Sequence, residues 1–386
     1  MTDGNERILT THTGSLPRPP DLTELVFARQ EGKEVDFATF RAVADRAVGD
    51  VVRRQRKAGI DIVSDGEMNK PGFVNYVGER LTGFGGLGTP WMVSDMAELP
   101  DLVQALYGGP GGTHINMPRC EGDVTYCGEE LVAHDIATLR AALDGDEDSV
   151  GFLPAASPGV IAMSAEDFHY GSYETYLGAV ADAMRTEYRA IIDAGFILQL
   201  DCPDIPMCNH TTCWITDRVE SMGFERYIEL HLDALNNAVV DLPPERIRLH
   251  ICWGNYAGPH HKDVPLLRVL GPVLKGSPGA ISFEAANPRH EHEWETIREI
   301  KIPDDKVLVP GVVDTKTNVV EHSRLIAQRI GRFADIVGRE RVVAGTDCGF
   351  GTFVGFGIVE PDVAWMKLAA LSEGAAMASD RLWGRV

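Results

Sequence analysis

The sequence has few basic residues for its length: 36 Lys and Arg stand against 57 Asp and Glu in 386 residues, a formal net charge of −21. No run of Lys and Arg interrupts this acidity, so nucleic acid or an anionic membrane surface is repelled on average. No stretch of about 18 apolar residues is present, which argues against a membrane-spanning helix. The opening MTDGNERILT has no basic segment followed by an apolar one, so we expect no signal peptide and a cytoplasmic protein.

Cysteine is also sparse and odd in number, with 7 residues scattered along the chain. This pattern is typical of reduced thiols in a cytoplasm rather than of a disulfide framework. Some of these thiols are therefore available to bind metal or to do chemistry. The composition is otherwise ordinary, 44% hydrophobic and 24% charged, and the length allows one large core or two smaller ones.

Apolar, β-branched runs along the chain predict strands. They lie at residues 7–13, 59–65, 150–156, 196–201, 246–252, 280–285, 306–314 and 341–347. Amphipathic helical patterns lie between most of them, for example at 36–59, 173–195, 226–242 and 319–338. A strand followed by a helix, eight times over, predicts an α/β fold of the (β/α)8 TIM barrel type.

An open doubly wound sheet is the alternative fold, and it needs a glycine-rich phosphate turn after an early strand. No G-x-G-x-x-G sequence follows such a strand, and GFGGLG at 83–88 is interpreted as a loop. Residues 85–149 are rich in Gly and Pro and break the alternation of strand and helix. We predict that this segment is an insertion over the barrel mouth, with a small hairpin near 114–128, in a single domain spanning residues 1–386.

Polar, ionisable and thiol residues gather at the carboxyl ends of the predicted strands, where barrels of this kind place their active sites. His250 and Cys252 stand two apart on the fifth strand, so their side chains point the same way. Glu284 on the sixth strand and Cys348 on the eighth complete a candidate shell of four ligands. Imidazole, carboxylate and thiolate groups suit Zn²⁺, which favours tetrahedral N and S ligation. The alternative is a buried histidine beside an inert thiol.

A second group of metal-binding residue types lies on one short segment, namely Cys202, Cys208, His210 and Cys213. This group could hold a structural zinc, but its spacing matches no standard zinc finger. We interpret these thiols mostly as buried or loop residues. Further histidines follow the fifth and sixth strands at 258–263 and 287–295, and we interpret these segments as a solvated loop and a helix start.

The motifs TTHTGSLPR, SDGE, LQLD-x-P, H-x-C, FE, PGVVD and DCG occur in this order along the chain. Together, over residues 8–355, they resemble the cobalamin-independent methionine synthase family, in particular its C-terminal catalytic barrel. The resemblance implies a (β/α)8 barrel and a zinc shell formed by His250, Cys252, Glu284 and Cys348. It also implies that Ser15, Glu67 and Asp201 bind an amino-acid thiol. Such a thiol offers an ammonium group to the two carboxylates and a carboxylate group to backbone N–H groups at a turn.

The chain departs from the methionine synthases in three places. It is too short for their second, N-terminal barrel, and their D-E-P-A after strand four is DCPD here, at 201–204. The histidine of their D-x-H-S after strand seven is replaced by Lys316. Because of these changes, the sequence does not decide whether the alkyl donor is a folate or a compound of another class. Single-barrel enzymes of the same superfamily, one of which opens epoxides with the thiol coenzyme M, are closer in length, whereas uroporphyrinogen decarboxylases share the fold but need no zinc.

We therefore expect zinc-dependent transfer of a methyl or other alkyl group from a donor to a small, homocysteine-like thiol, whose pKa the metal lowers. Asp201, Lys316 and Asp314 are the predicted catalytic residues, and His210 and His260 are further candidates to protonate the leaving group. An epoxide-opening alkyltransferase of the coenzyme M type is the alternative. A metal-assisted hydrolase is disfavoured because two thiolate ligands soften the zinc, and a zinc-free ligand-binding barrel is the remaining possibility.

Overall fold

The computed structural model describes residues 6–89, 91–108, 118–145, 149–355 and 357–385. Its main sheet has eight parallel strands. They are β1 (Leu9–Thr10), β2 (Ile62–Val63), β3 (Val150–Ala156), β4 (Ile197–Asp201), β5 (Ile247–Ile251), β6 (Ala280–Phe283), β7 (Val307–Val313) and β8 (Val343–Thr346). Each predicted strand contains one of them, so all eight strand predictions are confirmed. The runs read as continuously apolar because parallel strands of this kind are buried on both faces.

The sheet closes into a barrel. Strands β2 to β8 pair in chain order, and β8 pairs with β1. A parallel bridge between Thr11 and Ile62 then joins the end of β1 to β2. The predicted (β/α)8 barrel is therefore confirmed, and with it the expectation that the carboxyl ends of all strands meet at one mouth.

Helices surround the barrel, and at least one follows every strand. The α-helices are Pro20–Gln30, Phe37–Lys57, Ser94–Ala97, Pro100–Tyr107, Glu129–Leu143, Pro158–Ser164, Tyr173–Asp193, Asp204–Met207, Thr216–Met222, Phe224–Ala238, Leu266–Val273, Trp294–Ile297, Ser323–Val337 and Pro361–Leu382. Shorter 3-10 turns are Asn75–Glu79, Pro244–Arg246, Glu291–Glu293 and Arg339–Arg341. The four helical patterns named from the sequence are confirmed to within a few residues. None of the described helices combines the length and apolar composition that a membrane crossing requires.

The barrel interior changes from apolar to polar along its axis, because residues two apart on a strand point to the same side. A small apolar cluster fills the amino-terminal end, with Ile197 of β4 among its members. The next inward residue of β4 is Gln199, which accepts a hydrogen bond from the buried Arg248 of β5 at 2.8 Å. The last is Asp201, at the mouth. The alternation along the strands therefore places polar side chains at the mouth.

The connection between β2 and β3 contains the predicted insertion. Two short antiparallel pairings occur there, Phe84–Gly85 with Arg119–Cys120, and Met92–Val93 with Thr211–Thr212 from the loop after β4. The predicted hairpin near 114–128 lies partly outside the described residues; in the described part, Arg119–Cys120 pairs with the distant Phe84–Gly85 instead. The bounds 85–149 of an insertion within one domain stay a prediction.

Candidate metal centre

A cavity of ≈ 440 Å³ opens at the barrel mouth, at the carboxyl ends of the strands. Its buried end is lined by Thr13, Ser15, Glu67, Asp201, His250, Cys252 and Cys348. Its outer part is lined by partly exposed apolar side chains, which are Phe73, Trp91, Met92, Val93, Val103 and Phe353. The volume lies within the usual range of about 300–1,000 Å³ for small-molecule sites. The cavity therefore joins a reactive, buried end to an apolar entrance.

Three of the four predicted metal ligands meet at the buried end. One donor atom from each of His250, Cys252 and Cys348 lies within 4.8 Å of the other two. The two sulfur atoms are 3.4 Å apart. Nε2 of His250 is buried and has no hydrogen-bond partner, while Nδ1 lies 3.4 Å from the Ser282 hydroxyl. An unpartnered ring nitrogen beside two thiols fits a metal that takes N and S ligands.

The protonation of this group also suits a metal. A hydrogen bond from the Cys252 thiol, together with the His250 ring, lowers the pKa of Cys348 to about 5. Burial acts to lower the pKa of His250, but Cys348 and Asp201 raise it above its usual value. The same contact with Cys348, with burial, raises the pKa of Cys252. The group thus contains a thiolate stabilised by its neighbours, and thiolate is the form in which cysteine binds metal.

Glu284 lies apart from these three residues in the structure. Its Oε2 accepts hydrogen bonds from Lys316 Nζ at 2.7 Å and from Asn287 Nδ2 at 2.8 Å. Its Oε1 accepts one from the Trp253 backbone N–H at 2.9 Å. Burial acts to raise the pKa of Glu284, but the Lys316 ammonium outweighs it and the pKa falls to about 2. The carboxylate is thus satisfied without a metal, and its role as a ligand stays a prediction.

Lys316 contacts Glu284, and Asp314 contacts the backbone of Lys316. Burial acts to lower the pKa of Lys316, but Glu284 raises it above its usual value. Asp314 Oδ1 accepts a hydrogen bond from the Lys316 backbone N–H at 2.9 Å, which shapes this turn. Among the residues that the structure describes, neither side chain lines the cavity. Their predicted catalytic roles are not tested by this arrangement.

Ser15, Glu67 and Asp201 do line the cavity, as expected for the predicted substrate-binding residues. Burial, with the like charge of Asp201 adding to it, raises the pKa of Glu67 to about 8. Burial likewise raises the pKa of Asp201 to about 6. Glu67 Oε2 is buried without a hydrogen-bond partner. Two buried carboxylates that can accept further hydrogen bonds form a site for a cation.

The turns that carry these residues depend on unusual backbone geometry. Glu67 has φ 58°, a left-handed conformation that is uncommon outside glycine and is often found at functional sites. Gly14 has φ 147°, and a Cβ there would lie 2.7 Å from Glu67 Oε1. Glycine at position 14 therefore lets the turn after β1 approach the Glu67 carboxylate.

Loops after different strands are tied together around the mouth. The Arg18 guanidinium donates to the backbone oxygens of Glu67, Lys70 and Gly351, joining the loops after β1, β2 and β8. Asp347, next to Cys348, accepts hydrogen bonds from the backbone N–H groups of 285–287 at 2.8–2.9 Å, joining β8 to the loop after β6. These contacts fix the relative positions of residues that lie far apart in the chain.

Several contributors to the site were missed by the sequence analysis. Gln199 Nε2 donates to Asp201 Oδ1 at 2.7 Å, and alternation along β4 was the signal that pointed to it. Phe73 and Phe353 pack edge to face with ring centroids 5.3 Å apart. Trp91 is placed by the pairing of Met92–Val93 with the loop after β4. Because these aromatic residues come from loops with no periodic pattern, the sequence gives no signal for them.

One interpretation of the histidine-rich segments is wrong. His260, in the predicted solvated loop, is buried and binds the Asp263 carboxylate at 2.9 Å; His290, in the predicted helix start, is also buried and binds the same carboxylate at 3.0 Å. Asp263 is itself buried, and a buried carboxylate needs such partners, which is why these histidines turn inward. His210 lies next to this group, 3.6 Å from Asp263. In the part of the chain that the structure describes, neither His210 nor His260 lines the cavity.

The second candidate zinc group does not assemble. Among the described residues, His250, Cys252 and Cys348 form the one group of three or more side chains able to hold a metal. Cys202 and Cys208 are instead buried, and their thiols donate to backbone oxygens. The interpretation of these thiols as buried residues is confirmed.

Comparisons with known proteins agree with the fold and the motifs. A model of the cobalamin-independent synthase catalytic domain matches residues 8–109. A methionine synthase of Methanothermobacter marburgensis is 28% identical over 345 residues, covering 89% of this chain and 93% of that protein. A 2-hydroxypropyl-CoM lyase of Xanthobacter autotrophicus is 23% identical over 398 residues, covering 95% of this chain and 94% of that protein.

Solved structures match the fold over the same length. The B12-independent methionine synthase of Shewanella sp. W3-18-1, in complex with selenomethionine, superposes with a TM-score of 0.72 at 22% identity and covers 98% of this chain and 99% of that one. With a family model matched over residues 8–109 and methionine synthases aligned along nearly the whole length, the chain is similar to the cobalamin-independent methionine synthases.

Proposed function

We propose that this chain transfers a methyl or other alkyl group to the sulfur of a small amino-thiol, with zinc held by His250, Cys252 and Cys348. The relatives named methionine synthase support a thiol as acceptor. The selenomethionine bound to the Shewanella protein supports an amino acid of this size as a ligand of such a barrel. When bound, zinc supplies the positive charge that lowers the pKa of a thiol, so that a thiolate is present at neutral pH.

A single observation carries the proposal: one cavity holds both the three-residue metal group and the Glu67–Asp201 pair. The pair has a buried oxygen without a partner. An ammonium group placed there would pair with both carboxylates and would hold the acceptor by charge-assisted hydrogen bonds. The amino-thiol would then reach with its sulfur towards His250, Cys252 and Cys348, at the same buried end. Ser15 lines this end too, at the turn that would receive the carboxylate of the acceptor.

The acceptor of the coenzyme M type is disfavoured by charge. One relative is a 2-hydroxypropyl-CoM lyase, and coenzyme M carries a sulfonate anion and no ammonium. Among the described residues that line the cavity there is no Lys and no Arg, while Glu67 and Asp201 are both present. None of the positions left undescribed is Lys or Arg in the sequence. A sulfonate would therefore meet two carboxylates and no cationic side chain, so the amino-thiol is favoured.

Glu284 remains the proposed fourth ligand. Its carboxylate is held by Lys316 in the structure, so binding the metal would require it to leave that ion pair. Lys316 and Asp314 remain proposed catalytic residues through this pair, because Lys316 can receive Glu284 again when the acceptor sulfur takes its place. Asp201 is proposed to orient the acceptor, and its own position is held by Gln199.

Metal content and thiol methylation test the proposal together. We expect purified protein to carry about one zinc per chain, and to convert homocysteine to methionine when a suitable methyl donor is supplied. Cys348→Ser should lose both the zinc and the turnover, measured by mass spectrometry of metal and product. Cys208→Ser, a matched change at a buried cysteine outside the group, should keep both. Zinc-free protein that still methylates homocysteine, or full activity in Cys348→Ser, would refute the metal assignment.

A further inference from the structure

The charge and chemistry of the cavity restrict the class of alkyl donor. Once an amino-thiol occupies the buried end, Glu67 and Asp201 are engaged by its ammonium group. His250, Cys252 and Cys348 are engaged as metal ligands. The outer part of the cavity, lined by Phe73, Trp91, Met92, Val93, Val103 and Phe353, then remains for the donor.

No free acid is left in the described lining to protonate a leaving group. Tyr256 is the one remaining side chain there with an acidic proton, but its hydroxyl donates to both oxygens of the buried Asp95, at 2.9 and 3.1 Å. Burial and the nearby Asp263 and Asp95 carboxylates raise the pKa of Tyr256 far above its usual value. The other polar side chains of the lining are hydroxyls and the Asn255 amide, which are not acids at neutral pH. Lys316 is paired with Glu284 and lies outside this lining.

A donor whose leaving group needs a proton as it departs therefore finds no acid in this cavity. Opening an epoxide generates an alkoxide, and loss of the methyl group from a folate leaves an amine nitrogen that needs a proton. Both reactions therefore require an acid at the leaving atom. A folate also carries carboxylates, and no Lys or Arg lines the cavity among the described residues. Both requirements disappear if the donor is a cation that becomes neutral when it loses its methyl group.

The outer part of the cavity has the surface that such a cation prefers. The rings of Phe73, Trp91 and Phe353 all line it, and two of them are in edge-to-face contact. Aromatic faces attract alkylated ammonium and sulfonium groups through the ring quadrupole, and Trp does so most strongly. Alkylated cations are also weakly hydrated, so they lose little on entering a site lined by Met and Val. The net charge of −21 adds a general attraction for cations.

We infer that the methyl donor of this protein is a sulfonium or quaternary ammonium compound whose cationic head lies against Phe73, Trp91 and Phe353. The inference rests on the proposed function, because it assumes an amino-thiol at the buried end. In the reaction, the acceptor thiolate sulfur forms a bond to a methyl carbon of the donor. The bond from that carbon to S⁺ or N⁺ breaks, and its electron pair stays on the leaving atom. A neutral thioether or tertiary amine departs, and no proton moves at that atom.

Binding of a matched pair of probes tests the cation site without any turnover. Choline and 3,3-dimethylbutan-1-ol have the same shape and differ in the positive charge. We expect zinc-loaded protein saturated with homoserine, which has the ammonium and carboxylate groups of homocysteine but no thiol, to bind choline about tenfold more tightly than the alcohol, measured by titration calorimetry. Trp91→Leu should remove most of this preference, while Trp294→Leu, at a partly exposed tryptophan outside the lining, should keep it. Equal affinity for both probes would overturn the inference.

A donor panel separates this inference from the proposed function. The panel contains dimethylphenylsulfonium, N5-methyltetrahydrofolate and propylene oxide, each with homocysteine, and the products are identified by mass spectrometry. We expect methionine and thioanisole in equal amounts from the sulfonium. Methionine from the folate and not from the sulfonium would overturn the inference and leave the proposed function standing. Preferential choline binding with no alkylation from any donor would support the cation site and count against the proposed function.

Discussion

At the scale of single residues, the Glu67 carboxylate combines a binding role with a cost to stability. It is buried, its Oε2 has no hydrogen-bond partner, and burial raises its pKa from the ordinary value of 4.5 to about 8. In the unfolded chain the group ionises near its ordinary pKa of 4.5. Between these two values the folded protein holds a proton that the unfolded chain has lost, so the stability that this group contributes is present below pH 4.5 and is lost as the pH rises through about 8.

Glu67→Gln should reverse this loss of stability and weaken binding of the acceptor. At pH 9 we expect the variant to be more stable than the wild type by at least about 1 kcal/mol, or about 2 °C in Tm, with the difference shrinking towards pH 4.5. Homocysteine binding should weaken about tenfold or more, since a charge-assisted hydrogen bond is lost. Thermal unfolding over a pH series and calorimetric titration measure the two effects. Glu295→Gln, at an exposed carboxylate, should change neither; an unchanged pH slope in Glu67→Gln would contradict the account.

The predicted ligands show which residue positions sequence reasoning can locate. His250 and Cys252 were placed correctly because alternation on a strand puts residues two apart on the same side. The Glu284–Lys316 ion pair, at 2.7 Å, could not be foreseen, since it joins the ends of β6 and β7 by side chains whose approach depends on the closed barrel. The same limit applies to His260 and His290, which surround Asp263 only in the folded protein.

At the scale of elements, the strands were predictable and the loops at the mouth were not. Each strand is an apolar run bounded by polar residues, and its length and place follow from that pattern. The aromatic lining comes from the loops after β2 and β8, whose conformations depend on long-range contacts. One such contact is the bridge between Gly72 and Phe353, and another is the hydrogen bond from Phe73 N–H to the Thr352 backbone oxygen.

The segment 91–97 covers one side of the cavity, and side chains of the loop after β5 contact it there. Tyr256 donates to Asp95, which is buried. Tyr256→Phe should leave that carboxylate short of a partner and cost about 1–3 kcal/mol, most of it as local opening of 91–97. Faster amide hydrogen exchange confined to this segment would show the effect. Tyr173→Phe, which removes a buried hydroxyl elsewhere, should leave exchange in 91–97 unchanged; no difference between the two variants would contradict this role.

At the scale of the whole molecule, barrel closure brings the chemistry together. The three residues of the metal group come from β5 and from the loop after β8, 96 positions apart in sequence for the two cysteines. The predicted order of strands was enough to infer that they meet, because every strand of a parallel barrel ends at the same mouth. The acidic surface and the carboxylates in the cavity favour cationic small molecules over anionic ones.

The central claim is that the acceptor sulfur docks on a zinc ion held by His250, Cys252 and Cys348. X-ray absorption at the zinc edge, with selenohomocysteine in place of homocysteine, tests it most directly, because selenium is a distinct scatterer. The account predicts one nitrogen and two sulfur neighbours from the protein, together with a Glu284 oxygen that a selenium neighbour replaces when the ligand is added. Fully zinc-loaded protein that binds selenohomocysteine without gaining a selenium neighbour would contradict it.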